Sequence, residues 1–145
     1  MATRREAALG ALYSVLTGIP GPKALRNAEL PETVPPGGLI IQRDGIVGEP
    51  EDITLSPVSY AWRHRAELEI FVRGNDPASR ASRLDDLIAA VDGAITANQT
   101  LGGMVDHCEI RPPEEPEDLA QEGARSFKAA ILPVILHYTS TGSAG

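Results

Sequence analysis

From Tyr60 to Arg73 the chain reads Tyr-Ala-Trp-Arg-His-Arg-Ala-Glu-Leu-Glu-Ile-Phe-Val-Arg, and its two parities differ in kind. Trp62, His64, Ala66, Leu68, Ile70 and Val72 fall on one parity, while Arg63, Arg65, Glu67, Glu69 and Arg73 fall on the other. That two-residue period is the signature of a half-buried β-strand. We read the stretch as the central strand of a sheet. Its polar parity alternates charge sign as well as polarity, so that face could meet water, a neighbouring strand with opposite charges, or a second subunit.

The flanks supply the other elements. Thr3 to Glu6 reads as a capping box, followed by Leu9, Leu12, Tyr13 and Leu16 on one helical face. Gly18, Pro20, Gly21 and Pro22 stop that helix, glycine by accepting a left-handed end and proline by lacking the ladder N–H. Ala24 to Glu29 reads as a short strand, Leu30 to Gly38 as an irregular crossing loop, and Leu39-Ile-Ile-Gln-Arg43 as a firmer strand ending at the Asp44-Gly45 turn. Gly45 to Ser59 reads as a long hairpin arm with a brief strand-like Ile53-Thr-Leu55. After the central strand, Asp76 is placed as N-cap and Pro77 as first residue of a second helix, with Leu84, Leu87, Ile88, Val91 and Ile95 as its stripe to about Asn98. Gly93 inside it costs about 1 kcal/mol against alanine, a cost that close packing would justify.

Leu101-Gly-Gly103 turns the chain, Val105 to Arg111 reads as a strand, and Pro112 to Gly123 is an acidic excursion holding Glu114, Glu115, Glu117, Asp118 and Glu122. The last strand, Ser126 to Thr141, contains Ala129 to Leu136, apolar on both parities. Both of its faces should therefore be covered, one by helix and the other by protein beyond the usual single core, which is the best intrinsic hint of oligomerisation. Pro133 predicts an edge or a bulge, and the tail 141–145 should fray, as should 1–2.

Composition narrows the functional classes. At 145 residues with 42% hydrophobic content the chain makes one α/β (α+β) domain, 1–145, with a real core. Thirteen basic against twenty acidic residues give a net charge of −7, which disfavours dedicated nucleic-acid binding and leaves an acidic wall beside moving DNA open. The single cysteine, Cys108, excludes an intrachain disulfide. No apolar run approaches the roughly 20 residues of a membrane helix, and no signal peptide is read at the start, so the expected place of synthesis and residence is the cytoplasm.

Reactive constellations are sparse. Asp106-His-Cys-Glu109 holds four metal-ligand types, but a strand sends Asp106 and Cys108 one way and His107 and Glu109 the other, so they read as ordinary strand residues. His64 and His137 could meet across a sheet, and a hydrogen-bonded sheet histidine is the plainer reading for each. No serine lies in a Gly-x-Ser-x-Gly elbow, and Gly37-Gly38 and Gly102-Gly103 lack the rest of a phosphate-binding loop. Trp62 and Tyr60 read as core and strand-edge residues in preference to base-stacking platforms. Neither catalysis, a cofactor nor a metal is expected.

The order of elements resembles the tail terminator proteins, which cap the tail tube of long-tailed phages and of phage-like gene transfer agents. The likeness is carried by the N-terminal helix, Leu25-Arg-Asn-Ala-Glu-Leu-Pro31, Gly37-Gly-Leu-Ile-Ile-Gln-Arg-Asp-Gly45, Leu55-Ser-Pro57, Arg65-Ala-Glu-Leu-Glu-Ile70, the second helix, Leu101-Gly-Gly-Met-Val-Asp106 and Lys128 to Tyr138. The resemblance implies a mixed or antiparallel sheet of about 4–6 strands with two main helices on one face. It also implies a homo-oligomeric ring, a hexamer, that stops tube polymerisation and joins tail to head or neck. The implied partners are further copies of the chain, the tail tube protein and a head or neck connector protein, with DNA passing through the ring without sequence-specific binding and no membrane. Its place would be the virion, assembled in the bacterial cytoplasm. Candidate contact residues are Arg63, Arg65, Glu67, Glu69, Glu114, Glu115, Glu117 and Asp118. Another neck component, such as a head-closure or tail-completion protein, a small-ligand-binding module and an enzyme remain as alternatives; the last would need a convergent titratable cluster.

Overall fold

A computed structural model describes residues 2–115 and 127–145. In chain order its elements are α1 (Arg4–Thr17), β1 (Lys23–Arg26), β2 (Leu39–Arg43), β3 (Asp52–Leu55), β4 (Val58–Arg73), α2 (Pro77–Thr96), β5 (His107–Ile110) and β6 (Phe127–Ser140). One six-stranded mixed sheet runs β1-β2-β4-β6-β5, with β3 also paired to β4. Only β1 and β2 are parallel; the other pairs are antiparallel. The alternating run is central: Tyr60 through Arg73 pair with Ser140 through Phe127 of β6, and Glu67 to Phe71 pair with β2 on the other side.

Both helices lie on the face carrying Trp62, His64, Ala66, Leu68, Ile70 and Val72. Leu9, Leu12 and Leu16 of α1 and Leu84, Leu87, Val91 and Ile95 of α2 close over that stripe and over Leu132, Val134, Leu136 and Tyr138 of β6. Each such side chain fully removed from water stabilises the fold by roughly 1.5–3 kcal/mol. Thr3 caps α1 by accepting from the Glu6 N–H at 3.0 Å, but the Glu6 carboxylate turns to Arg26, so only half of the expected capping box forms. Asp76 caps α2 as read, accepting from the Ser79 N–H at 2.7 Å. Gly93 has open space where a Cβ would be, so close packing does not account for it.

The opposite face corrects the expectation for β6. Val34 from the crossing loop joins Leu39, Ile41 and Phe71 in a second small cluster, with Leu25, Phe127 and Ala129 against it. Ile135, on the same face, is 1% exposed. Part of the second apolar parity is thus buried by the chain itself. Pro133 is not at an edge, since β6 lies between β4 and β5. Its carbonyl accepts from the Arg111 N–H at 2.9 Å where β5 ends, and the chain rejoins at Glu114 opposite Ile131. The residues from 111 to 114 thus span what 133 to 131 span on β6, which is the bulge that proline favours.

The tail corrects another expectation. Gly145 is buried, its position lies near Trp62 and Val47, and the Arg5 guanidinium donates to the Ala144 carbonyl at 2.5 Å, so residues 141–145 are held against the N-terminal helix.

Candidate functional site

Charge on the outer face of β4 is largely spent inside the chain. Arg65 donates to Glu67 Oε2 at 3.0 Å and to Glu114 Oε1 at 3.1 Å, and Arg43 of β2 donates to Glu69 Oε1 at 3.1 Å. The Glu67 and Glu114 carboxylates raise the Arg65 pKa, fixing its charge. Of the possibilities for the polar parity, neighbouring segments of opposite charge account for Arg65, Glu67 and Glu69. Arg63 is exposed and, among the described residues, has no carboxylate at ion-pair distance.

The acidic excursion begins differently from its sequence reading. Glu114 is not free loop: its N–H and carbonyl both bond Ile131 at 2.7 Å, and its side chain reaches Arg65. Glu115 is exposed, whereas Glu117, Asp118 and Glu122 lie outside the described residues.

The histidines do not converge as the sequence allowed. His64 stands opposite Leu136 on the helix side, while His137 stands opposite Arg63 on the outer side. His137 instead stacks with His107, ring centroids 6.0 Å apart, and its Nε2 lies 3.4 Å from Glu109 Oε1, a contact that lowers the Glu109 pKa. Cys108 is buried on the opposite face from His107 and Glu109, and burial pushes its thiol up to about 11. Among the described residues, no three His, Cys, Asp or Glu side chains are placed to hold a metal ion. No helix among them is long and apolar enough to cross a membrane.

A buried polar network, missed in the sequence, braces the sheet where the arm departs. The Asp44 carbonyl can only accept, so His64 Nε2 carries the proton and Nδ1 accepts from the Tyr138 hydroxyl at 3.0 Å. Burial lowers the His64 pKa and pushes Tyr138 up to about 12, so both stay neutral near pH 7. Gln42 Nε2 donates to the Leu9 carbonyl and to Asp44 Oδ1, both at 3.1 Å. Arg26 bridges Asp44 and Glu6 at 2.9 Å each. Burial alone would raise the Asp44 pKa, but hydrogen bonds from Arg26, Asn27 and Gln42 outweigh it and the net shift is downward. The signals available were Gln42 inside an apolar strand and His64 on the apolar parity of the central one. Both His64 nitrogens and the Tyr138 proton are thus engaged within the network.

Gly45 fixes the root of the arm. Its φ is +71°, and a Cβ there would collide with the Arg65 carbonyl, so only glycine lets the chain pass this close to β4. Beyond it β3 and the start of β4 form a hairpin through Ser56 and a cis Pro57. All four β3 residues are exposed, and Ile46, Ile53, Leu55 and Val58 are large apolar side chains facing solvent there. Compared with known protein families and with curated proteins, the sequence matches none.

Proposed function

We propose that this protein is a tail terminator, a structural protein that caps the tail tube of a phage or phage-like particle as a ring. In this reading it stops tube polymerisation and offers its other side to the head or neck. The observation that carries it is the arm: the hairpin beyond Gly45 presents exposed Ile53, Leu55 and Val58 on a domain that has already closed its own core. Solvent-facing apolar groups clustered this way mark a surface that meets another protein. The titratable groups support assembly over chemistry, since His64 and Tyr138 are engaged in fixed hydrogen bonds and the Cys108 thiol is buried. The order of elements agrees with the resemblance, and a net charge of −7 suits a channel through which DNA slides without being held.

Electron microscopy of particles made with this gene deleted tests the reading. Overlong tubes without heads are the expected result. Tubes of normal length that fail to join heads would move the protein to head closure or tail completion, and unaltered particles would overturn any structural role.

A further inference from the structure

The Asp106-His-Cys-Glu109 run divides its ligand chemistry between two faces of β5, but register gives one of its members a partner from elsewhere in the chain. His107 stands directly opposite His137 of β6, and both lie on the outer face of the sheet, with Arg63 of β4 next in the same row. Directly opposed residues of an antiparallel pair hold their Cβ atoms about 4.5–5.5 Å apart, close enough for two imidazoles to work together. Neither ring is shut away from solvent: His107 is exposed, and His137 keeps 28% of its side chain in water. The contrast is with His64, which is buried and has both nitrogens engaged.

The nitrogens of this pair are open to a ligand. An ionised carboxylate only accepts, so at 3.4 Å the His137 Nε2–H donates to Glu109 Oε1 and Nδ1 keeps its lone pair. Among the described residues neither that Nδ1 nor either nitrogen of His107 has a hydrogen-bond partner. A carboxylate on the far nitrogen is the usual way a metal-ligating imidazole is oriented and its tautomer fixed. The separation fits as well. With a metal–nitrogen bond of about 2.0–2.1 Å and a ring nitrogen roughly 1.1 Å from the ring centre, two rings that share an ion have centroids no more than about 6.4 Å apart. The observed 6.0 Å lies inside that limit, with the ring planes 26° apart. Rotation about χ2, a broad torsion in histidine, aims the nitrogens at a common point.

We propose that His107 and His137 form a two-point chelate, across the β5–β6 pair, for a divalent transition-metal ion such as Zn²⁺, Ni²⁺ or Cu²⁺. No third side chain among the described residues is placed to join them, so water fills the remaining positions. Charge does not draw the ion in: Arg63 and Arg111 offset Glu109 and Asp106, and Arg65 in the next row is already held by Glu67 and Glu114. Binding therefore rests on nitrogen lone pairs, which select metals that accept imidazole and pass over Mg²⁺ and Ca²⁺, whose ligands are oxygens. The site is independent of the ring reading, and its test needs only the isolated chain.

Titration calorimetry on the chain without an oligohistidine tag provides that test. Zn²⁺, Ni²⁺ and Cu²⁺ should each bind at about one equivalent per chain, Cu²⁺ the tightest, while Mg²⁺ and Ca²⁺ give no binding heat. His107→Gln and His137→Gln should each weaken Zn²⁺ binding at least about tenfold, and the two together should lose little more than either alone, because a chelate works only with both its ends. Circular dichroism of the metal-free variants should match the parent, since both rings stand on the outer face. Electron paramagnetic resonance of Cu²⁺ on the unaltered chain reads the same geometry without any variant, and two coordinated imidazole nitrogens are expected. Losses that merely add across the two substitutions, a Cu²⁺ spectrum with a single nitrogen, or Zn²⁺ binding that survives both substitutions would each overturn the proposal.

Discussion

The helix-side parity of β4 runs unbroken from Val58 to Val72, yet its two stretches live in different surroundings. From Trp62 to Val72 it is buried beneath α1 and α2, whereas Val58 stands in solvent beside Leu55 and Ile53. The residue types are alike in both. The difference teaches that alternation specifies a face for burial without specifying what buries it. Substitution separates the two regimes most strongly. Leu68→Ala should cost about 2–5 kcal/mol, through lost transfer energy and a cavity the sheet cannot collapse. Leu55→Ala should fall within about 0.5 kcal/mol in the isolated chain. Urea denaturation of the two variants checks this, and a comparable loss at Leu55 would make the arm part of its own core and end the comparison.

His64 is the one titratable group on the covered parity from Trp62 to Val72, and it sharpens the contrast. Tyr138→Phe leaves Nδ1 buried without its donor and should cost about 1–3 kcal/mol. The pH dependence has a definite sign. Burial lowers the folded pKa of His64, so below the unfolded value of about 6.5 the unfolded chain binds a proton that the folded chain refuses. Stability should therefore fall as pH drops below about 6.5, until the folded pKa is passed. The surroundings of the ring are the neutral Tyr138, the Asp44 carbonyl and carboxylate, and the Arg5 charge, which opposes protonation. Glu6 and Asp44, whose pKa values are lowered, lose their contribution only near and below about 4, so the two windows separate. In denaturation midpoints followed between pH 7 and 5, His64→Gln should flatten the slope; an unchanged slope would place the titrating group elsewhere.

Most of the fold was legible because its strongest elements carry their own punctuation. The 60–73 alternation, the Asp76-Pro77 start of α2 and the glycine-rich turn at 101–103 each fix a boundary by local chemistry. What stayed hidden depended on distant partners. Whether Glu6 would close a capping box or pair with Arg26 is decided by where β1 lies. On the second face of β6, the cluster that Phe127 and Ala129 pack against includes Val34, from a loop whose sequence names no destination. The polar network joins α1, β1, β2, β4 and β6, so no single window contains it. Of the candidate contact residues, the alternating charges were visible, but not that Arg43 and Glu114 would arrive to neutralise them.

That neutralisation supplies the smallest effect and the finest test of the outer face. Arg65 is 44% exposed and Glu114 51%, so water screens the pair and the coupling should be about 0.2–1 kcal/mol. A double-mutant cycle of Arg65→Ala and Glu114→Ala isolates it. The Glu114 backbone keeps its two bonds to Ile131 whatever the side chain, so the single variants should leave the bulge in place. The coupling should shrink further in high salt, as it does for charges that water can reach. A value of several kcal/mol would mean that the pair is sequestered and belongs with the covered stretch. A small value means that its charges can be redirected to a neighbouring surface at little cost to the fold, the condition an outer face must meet if it is to join an assembly after the chain has folded.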